Sequence, residues 1–447
     1  MNLSKKQIDR YIRHIIMPEI GEKGQKKLIE SSVLLYGENV KELMPMVLYL
    51  SALGIGKIFC CLTDNEGYES LFYKAKDLND DVSIEIVDDN ILFANADIRV
   101  MLGSVNFIKN SINNSTFIPT IISMTNDWQG TLQTFTTEKA ISEFIGYIGS
   151  EEQIVEKNTL ITSFIGALCT VECVKLLLNL GKVHEDLLLF DMLNMEFSTY
   201  DKNKYEIAIN NFNNQCNAIL SKDEILKKLK NSKVLIVGSG GLGSPAALSL
   251  AIAGVGTIGL LDLDKVELSN LNRQILHSVS RLGVDKPESA KSFILSINND
   301  IKVNTHIMEL NIENSKEIIS NYDVVISAVD NIQTRYIIND TCYLMKKPIV
   351  EAGVLRFDGT NTTIIPDEGH CYRCLYPNVN ISGMTCSQIG ILGSVAGVMG
   401  FIEAIETVKI INRIGSTLKN KILLFDGLEM EFNIINLEKN PECPICS

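Results

Sequence analysis

The stretch NSKVLIVGSGGLGSP, residues 231–245, decides the fold of this chain. Its apolar run Val234–Val237 ends in glycines, a pattern typical of a buried parallel strand. The glycines have the spacing GxGxxG, and a helix is predicted at Pro245–Ala253. They are Gly238, Gly240 and Gly243. Glycines so placed allow a tight turn and let a phosphate approach the start of a helix, so the stretch predicts a nucleotide site.

The same pattern occurs earlier in the chain, in the stretch SSVLLYGENV at residues 31–40. Three further pairs of stretches match in the same order: LGIGKI with AGVGTI, VECVK with IETVK, and LLFDMLNMEF with LLFDGLEMEF. Four matches in one order indicate an internal duplication. We therefore predict two tandem domains of the same fold, at residues 1–202 and 218–447.

Strands that alternate with helical stretches predict a doubly wound parallel sheet in each domain. Further strands are expected in the second domain at Thr257–Leu261, Asp323–Ala328 and Pro348–Glu351. Their counterparts in the first domain are Val33–Tyr36, Lys57–Leu62 and Asp97–Leu102. We expect an α/β protein whose two tandem Rossmann-like doubly wound domains form a pseudo-dimer within one chain. The polar stretch Asn203–Asn217 is the candidate linker.

Composition limits the classes of function. The net charge of −13 argues against a general nucleic-acid surface. The first residues lack the apolar segment of a signal peptide, and we expect no apolar run long enough to span a bilayer. We therefore expect a cytoplasmic protein with neither a nucleic-acid nor a membrane partner. Such a compartment disfavours disulfides, although the chain has 11 cysteines.

Charged residues after the glycines separate two kinds of nucleotide site. Asp262 ends a predicted strand, where an acidic residue can meet a ribose hydroxyl. Arg273 and Lys286 add two cations, and Asp330 can hold a magnesium ion at the end of a later strand. Two cations and a metal suit a polyphosphate under attack better than a nicotinamide cofactor. A dehydrogenase would share only the glycines and Asp262, and a solvated charged surface is the alternative for each cation alone.

Four stretches of the second domain, GSGGLGSP, LLDLDKVELSNLNRQILH, DKPESA and SAVDN, resemble the ThiF/MoeB/HesA superfamily. These adenylyltransferases activate the C-terminus of ubiquitin-like sulfur carriers and are similar to the adenylation domains of ubiquitin-activating enzymes. The resemblance covers the second domain nearly throughout and implies ATP and Mg²⁺ as cosubstrates. It implies these nucleotide-binding residues: Gly238, Gly240, Gly241, Gly243, Asp262, Asn270, Arg273, Gln274, Lys286 and Asp330.

The first domain also resembles this family, in the stretch RYIRHIIMPEIGEKGQKKL at residues 10–28. In the family this segment reaches across a dimer and places an arginine in the partner's active site, and Arg13 has that position here. The second domain begins with AILSKDEILKKLKNS and has no such arginine. The resemblance therefore implies that Arg13 completes the site of the second domain within the same chain. An ordinary surface or ion-paired arginine is the alternative.

The first domain lacks the nucleotide-binding residues that the second domain has. Gly37 is followed by ENVKE where glycines are needed, so Glu38 and Glu42 bring negative charge to the phosphate position. Leu62 replaces the ribose carboxylate, and Ser104 replaces the metal aspartate. We predict a first domain without nucleotide chemistry and a second domain that is active.

The remaining cysteines suggest a metal and a nucleophile. The pairs Cys371/Cys374 and Cys443/Cys446 have the CxxC spacing of a structural zinc site, and the resemblance implies one here, with free thiols as the alternative. Cys386 has the position at which a cysteine of ThiF-like members can accept the activated acyl group or exchange sulfur with it, whereas a matching cysteine can be dispensable in MoeB-like members. An unreactive loop cysteine is the alternative. Most of the other cysteines are expected to be buried small hydrophobes.

The resemblance implies an adenylyltransferase that activates the carboxylate of a small ubiquitin-like carrier protein as an acyl-adenylate, for thiocarboxylate or thioester formation. A sulfur donor protein is then a further partner. The degenerate first domain is unusual for housekeeping members, which keeps a microcin-like alternative open: adenylation of a ribosomal peptide C-terminus. A scaffold that presents peptides without catalysis is another alternative. The sequence leaves further oligomerisation open.

Overall fold

The computed structural model describes residues 2–87, 96–112, 117–148, 158–214, 220–377 and 389–447. The chain divides into two compact units. We call residues 1–218 with 428–430 the first unit, and residues 219–427 with 431–447 the second unit. Each unit contains one mixed sheet of eight described strands.

The sheet of the first unit is parallel on one side and antiparallel on the other. Its strands are β1 (Ser32–Asn39), β2 (Lys57–Asp64), β3 (Ser83–Ile86), β4 (Ile98–Gly103), β5 (Thr120–Asn126), β6 (Gln129–Phe135), β7 (Leu187–Asp191) and β8 (Glu196–Tyr200). Their order is β3-β2-β1-β4-β5-β6-β7-β8. Strands β1 to β5 pair in parallel, and β5 to β8 pair antiparallel.

The sheet of the second unit repeats this order. Its strands are β9 (Lys233–Val237), β10 (Thr257–Leu261), β11 (Lys302–His306), β12 (Val324–Ser327), β13 (Ile349–Leu355), β14 (Asp358–Ile364), β15 (Lys421–Asp426) and β16 (Glu431–Asn436). They lie in the order β11-β10-β9-β12-β13-β14-β15-β16. The order reverses between β9 and β12, where open α/β sheets bind ligands. The predicted α/β fold, with two tandem Rossmann-like sheets, is confirmed.

The described helices of both units lie before, between and after the strands in the chain. They are α1 (Lys5–Ile15), α2 (Gly21–Glu30), α3 (Val40–Leu53), α4 (Tyr68–Leu78), α5 (Val105–Ser111), α6 (Glu138–Tyr147), α7 (Thr159–Leu178), α8 (Tyr205–Asn214), α9 (Lys222–Asn231), α10 (Gly243–Ala253), α11 (Lys286–Ile297), α12 (Ser315–Ser320), α13 (Ile332–Leu344), α14 (Tyr372–Leu375) and α15 (Gly393–Asn412). Short 3₁₀ turns lie at Lys202–Lys204, Leu268–Asn270 and Val279–Arg281.

The expectation of a linker at Asn203–Asn217 was wrong for most of that stretch. Helix α8 begins at Tyr205, and its apolar side chains pack into the core of the first unit. Tyr205, Ile209 and Phe212 are all buried. Their spacing of three and four residues places them on one helical face, which the intervening asparagines obscure in the sequence.

Helix α7 corrects a second expectation. It is 20 residues long, and its mean hydropathy of 1.8 makes it long and apolar enough to cross a membrane. However, 94% of its apolar window is buried inside the protein. It packs against α3 and the sheet of the first unit, so its apolar composition is explained by a position in a core.

A buried ion pair lies within α7, and hydrogen bonds to its carboxylate join the helix to the sheet. Glu172 and Lys175 are both fully buried, and their charged atoms lie 2.9 Å apart. The Glu172 carboxylate also accepts hydrogen bonds from Thr134 Oγ1 at 2.9 Å and from the His184 N–H at 2.8 Å. Hydrogen bonds of this kind offset part of the desolvation cost of a buried carboxylate.

The second unit repeats this ion pair on α15. Glu406 and Lys409 are fully buried and lie 2.6 Å apart. Glu406 accepts hydrogen bonds from Thr363 Oγ1 at 2.5 Å and from the Leu418 N–H at 2.7 Å. The equivalent network in each unit supports the duplication that the stretches VECVK and IETVK indicate.

Candidate nucleotide site and cysteine cluster

The first and last glycines of the glycine loop between β9 and α10 lie in close contact with backbone atoms. Gly238 has φ +99°, and a Cβ there would lie 2.5 Å from the Ala328 oxygen. A Cβ on Gly243 would lie 1.9 Å from the Gly238 oxygen. Side chains at these two positions are therefore excluded by backbone atoms. This packing places the loop directly against the end of β12.

The middle glycines face polar side chains. A Cβ on Gly240 would lie 3.3 Å from Gln274 Nε2, and one on Gly241 would lie 3.6 Å from Arg273 Cδ. The structure thus brings residues 240–241 together with residues 273–274, which are far apart in the sequence. Asn270 precedes them in the same turn, is buried, and accepts a hydrogen bond from the Glu267 N–H at 3.1 Å.

The Arg273 side chain is hydrogen-bonded to neighbouring residues of its own segment. Its Nη1 donates to the Ser269 carbonyl and to Asn272 Oδ1, both at 2.9 Å. Gln274 beside it is buried. An arginine whose guanidinium is already oriented loses less entropy when it contacts a phosphate.

Asp262 follows β10 and is bound to the glycine loop. Its Oδ2 accepts a hydrogen bond from the Ser239 N–H at 2.7 Å, and its Oδ1 accepts one from the Asp264 N–H at 2.9 Å. The side chain is half-buried. A carboxylate here stands beside the turn in which a nucleotide pyrophosphate would lie, at the place expected for a ribose contact.

Lys286 and Asp264 form an ion pair that the sequence reasoning missed. Lys286 Nζ lies 2.7 Å from Asp264 Oδ2, and the Lys286 N–H donates to the Asp264 carbonyl at 2.9 Å. The lysine side chain is 7% exposed and the aspartate side chain 67%. The alternation in LLDLD was the available signal, because Asp262 and Asp264 share one face of an extended segment.

Asp330 lies at the carboxyl end of β12 and is exposed. Its neighbour Asn331 caps α13, because Asn331 Oδ1 accepts a hydrogen bond from the Thr334 N–H at 2.8 Å. Mg²⁺ is usually held by one or two carboxylates together with substrate phosphates. One exposed carboxylate after β12, the strand against whose end the glycine loop packs, fits that donor set.

His277 belongs to the scaffold of the site. One ring nitrogen lies 2.9 Å from the Ser239 carbonyl, and the other lies 3.0 Å from Ser289 Oγ. Burial lowers the pKa of His277 to about 4, although the Ser239 contact opposes the shift. The ring is therefore neutral at neutral pH and joins the glycine loop to α11.

Four cysteines of the second unit form one cluster: Cys371, Cys374, Cys443 and Cys446. Their sulfur atoms all lie within 4.8 Å of one another, with separations of 4.0, 3.5 and 3.3 Å for 371–374, 371–443 and 374–446. Tetrahedral coordination at zinc–sulfur bonds of about 2.3 Å requires sulfurs about 3.8 Å apart. The cluster therefore fits a structural zinc site.

Burial and hydrogen bonds shift the pKa values of these thiols in different directions. Burial raises the pKa of Cys371 to about 11. Burial acts in the same direction on Cys443, but the N–H groups of Ile445 and Cys446 lower the pKa of Cys443 to about 7. A dication would stabilise all four thiolates together. His370 does not share the cluster: its ring nitrogens lie 3.1 Å from Thr362 Oγ1 and 3.4 Å from Asn420 Oδ1.

The other cysteines divide by burial. Cys386, the candidate acyl acceptor, and Cys216 lie outside the described residues. Outside the four-cysteine cluster, the buried cysteines are Cys60, Cys169, Cys173 and Cys342, as expected for small hydrophobic side chains. Burial raises the pKa of Cys60 to about 12, which makes it a poor nucleophile at neutral pH.

The first unit has side chains where the second has its glycine loop. A Cβ on Gly37 would lie 2.6 Å from Leu43 Cγ. The Glu38 carboxylate accepts hydrogen bonds from Ser104 Oγ at 2.9 Å and from the Ser104 N–H at 3.4 Å. Glu42 is buried and bonded to Asn39. In this unit, the protein's own carboxylate binds at the end of β4, which corresponds to the end of β12.

Arg13 lies in the last turn of α1 and is half-buried. Its helix is fastened within the first unit by buried polar contacts on either side. Asn79 Nδ2 donates to Tyr11 Oη at 2.8 Å, and His14 Nδ1 lies 2.7 Å from Gln25 Oε1. These contacts fix the rotation of α1 about its axis.

A sequence model of the ThiF family matches residues 212–445, which is more than half of the chain. The chain therefore belongs to the ThiF family. The adenylyltransferase and sulfurtransferase MOCS3 of Aedes aegypti is 41% identical over 263 residues, covering 56% of this chain and 60% of that protein. The protein of the same name from Drosophila ananassae is 44% identical over 223 residues, 49% of each chain.

This chain thus spans 60% or less of the length of these two relatives. Among solved structures, E. coli MccB with MccA-N7isoASN overlays with a TM-score of 0.47 at 19% identity and covers 73% of this chain and 97% of that chain.

Proposed function

We propose that the second unit is an ATP-dependent adenylyltransferase that activates the C-terminal carboxylate of a ubiquitin-like sulfur-carrier protein. The observation that carries the proposal is the convergence of Arg273 and Gln274 on the glycine loop, with Asp262 bonded to that loop. Membership of the ThiF family supports it. The named activity of the MOCS3 relatives agrees with it.

The proposed reaction joins a carboxylate oxygen to the α-phosphorus of ATP. The bond from that phosphorus to the bridging oxygen breaks, and its electron pair leaves with pyrophosphate. No general base is required, because the carboxylate is already ionised at neutral pH. Arg273 and Lys286 would neutralise phosphate charge, and Lys286 must then leave Asp264. Mg²⁺, held by Asp330, would supply further charge neutralisation.

Further assignments belong to the same proposal. Arg13 would supply an additional guanidinium to the reaction, and the first unit would bind no nucleotide. Zn²⁺ in the cysteine cluster would be structural. The acyl-adenylate would pass to sulfur or to Cys386. The proposal also includes a cytosolic location and the absence of nucleic-acid and membrane partners.

The alternative substrate is the C-terminus of a ribosomal peptide. One observation favours it: the first unit fills its own loop with Glu38 and Leu43, so it has diverged far from a second active copy. Both substrates present the same carboxylate to ATP. The two substrates therefore differ in how they dock on the protein, and assays with each substrate distinguish them.

The test measures exchange of radiolabelled pyrophosphate into ATP with each acceptor in turn. We expect exchange with a small carrier that ends in Gly-Gly, and none with the same carrier as its C-terminal amide, which has no attacking oxygen. Exchange only with short peptides would favour the alternative. If no carboxylate acceptor supports exchange and calorimetry detects no ATP binding, a non-catalytic scaffold is the better account.

A further inference from the structure

Arg335 of α13 reaches back to the turn that carries Asp330. Its Nε and Nη2 both donate to the Val329 carbonyl, at 3.0 and 2.7 Å. Val329 directly precedes Asp330 in the chain. The guanidinium is therefore hydrogen-bonded to the peptide group next to Asp330, the residue that is proposed to bind Mg²⁺.

The same guanidinium also binds the neighbouring strand. Its Nη2 donates to the Ala352 carbonyl at 2.9 Å, and its Nη1 forms an ion pair with Glu351 of β13. The side chains of Arg335 and Glu351 are 11% and 5% exposed. A planar fork with several fixed donors can make these contacts together, whereas a lysine ammonium cannot reproduce their geometry.

The glycine loop packs against the same turn. A Cβ on Gly238 would lie 2.5 Å from the carbonyl oxygen of Ala328, two residues before Asp330. The turn at residues 328–330 thus contacts both the loop and Arg335. A displacement of the turn would change the distance from Asp330 to any phosphate in the loop.

We propose that Arg335 is a positioning residue for adenylation: by holding the Val329 carbonyl against β13, it sets the place of the Asp330 carboxylate relative to the glycine loop. The inference rests on the proposed function, because it assumes that Asp330 acts on the nucleotide with its metal. Arg335 acts through Asp330 and contacts no substrate.

The test compares Arg335→Lys and Arg335→Gln with the wild-type full-length chain. A misplacement of about 1 Å can cost about 100-fold in rate. We therefore expect kcat for pyrophosphate exchange to fall by that order, with KM for the carrier unchanged. ATP affinity without metal should stay within about twofold, whereas Mn²⁺ affinity of the ATP complex, read by electron paramagnetic resonance, should fall about tenfold or more.

Two controls separate positioning from folding. Arg373→Lys breaks another guanidinium contact to α13, a paired bond to Asp340 at 2.8 and 2.7 Å, and should leave kcat unchanged. In an Asp330→Asn background, Arg335→Gln should cost less than about twofold, because residues that act as one unit are not additive. If Arg335→Gln unfolds the chain, Glu351→Gln repeats the test with a milder loss.

Arg335→Lys with wild-type kcat and Mn²⁺ affinity would overturn the inference. So would an equal loss on Arg335→Gln with and without Asp330, since that indicates a general structural role. If the wild-type chain exchanges no pyrophosphate, the proposed function fails, while the Mn²⁺ affinities of the ATP complexes still decide whether Arg335 acts through Asp330.

Discussion

Replacing Arg13 by alanine is expected to lower kcat for pyrophosphate exchange by about a thousand-fold, the size of effect found for arginine fingers. The proposal gives this guanidinium the task of neutralising charge that develops on the phosphate oxygens. The fold should survive the change, because the buried neighbours Tyr11 and His14 keep their contacts to Asn79 and Gln25. Circular dichroism and kcat measured on one preparation check both statements.

The matched control is Lys5→Ala, which removes an exposed cation from the same helix. It should leave kcat unchanged. An Arg13→Ala enzyme that exchanges pyrophosphate at the wild-type rate would remove Arg13 from the reaction. A mixture of Arg13→Ala and Lys286→Ala chains tests whether Arg13 acts within its own chain. We expect the mixture to stay inactive, whereas restored exchange would indicate that the guanidinium acts on another chain.

Replacing Cys443 by serine is expected to have the largest effect on stability. A structural zinc contributes about 10 kcal/mol or more to the folding of small zinc domains, whereas an ordinary substitution costs about 0.5–3 kcal/mol. At about 2–4 °C per kcal/mol, the unfolding midpoint should fall by more than about 10 °C. Zinc content, measured by mass spectrometry, should fall in parallel, and a chelator should reproduce both effects on the wild-type chain.

Cys342→Ser is the matched control. Cys342 is buried in the same hydrophobic core as Cys371 but does not belong to the four-cysteine cluster. It should destabilise the chain by an ordinary amount without loss of zinc. A wild-type chain that carries no zinc, and whose unfolding midpoint does not respond to a chelator, would contradict a structural metal at this cluster.

Local patterns predicted the parallel half of each sheet. Apolar runs bounded by glycines or charges placed β10 at Thr257–Leu261 as observed, and β9 within one residue. Such runs can be recognised in a sequence because strands buried on both faces are continuously apolar. The antiparallel strands β14 and β16 were not predicted, because their sequences DGTNTTI and EFNIIN lack a continuous apolar run. Of the pairings made by β14 to β16, only that of β14 with β15 joins segments distant in the sequence.

Part of the candidate site could also be predicted from local sequence patterns. Glycines and charged residues at fixed offsets indicated the loop and its cations. Two contacts could not be predicted from the sequence, because each joins separate segments of the chain. They are the ion pair of Lys286 with Asp264 and the hydrogen bonds of Arg335 to the Val329 carbonyl. Helix α8 was missed because its apolar face is interrupted by asparagines that favour turns.

The central claim is that each chain binds nucleotide only in its second unit. Isothermal calorimetry with ATP and Mg²⁺ tests it most directly, on the wild type, on an Asp262→Ala/Lys286→Ala variant of the second unit, and on a Glu38→Ala variant of the first. The account predicts one ATP per chain for the wild type and for Glu38→Ala, and no binding for the double variant. Full binding by the double variant, or a second ATP in the wild type, would contradict it.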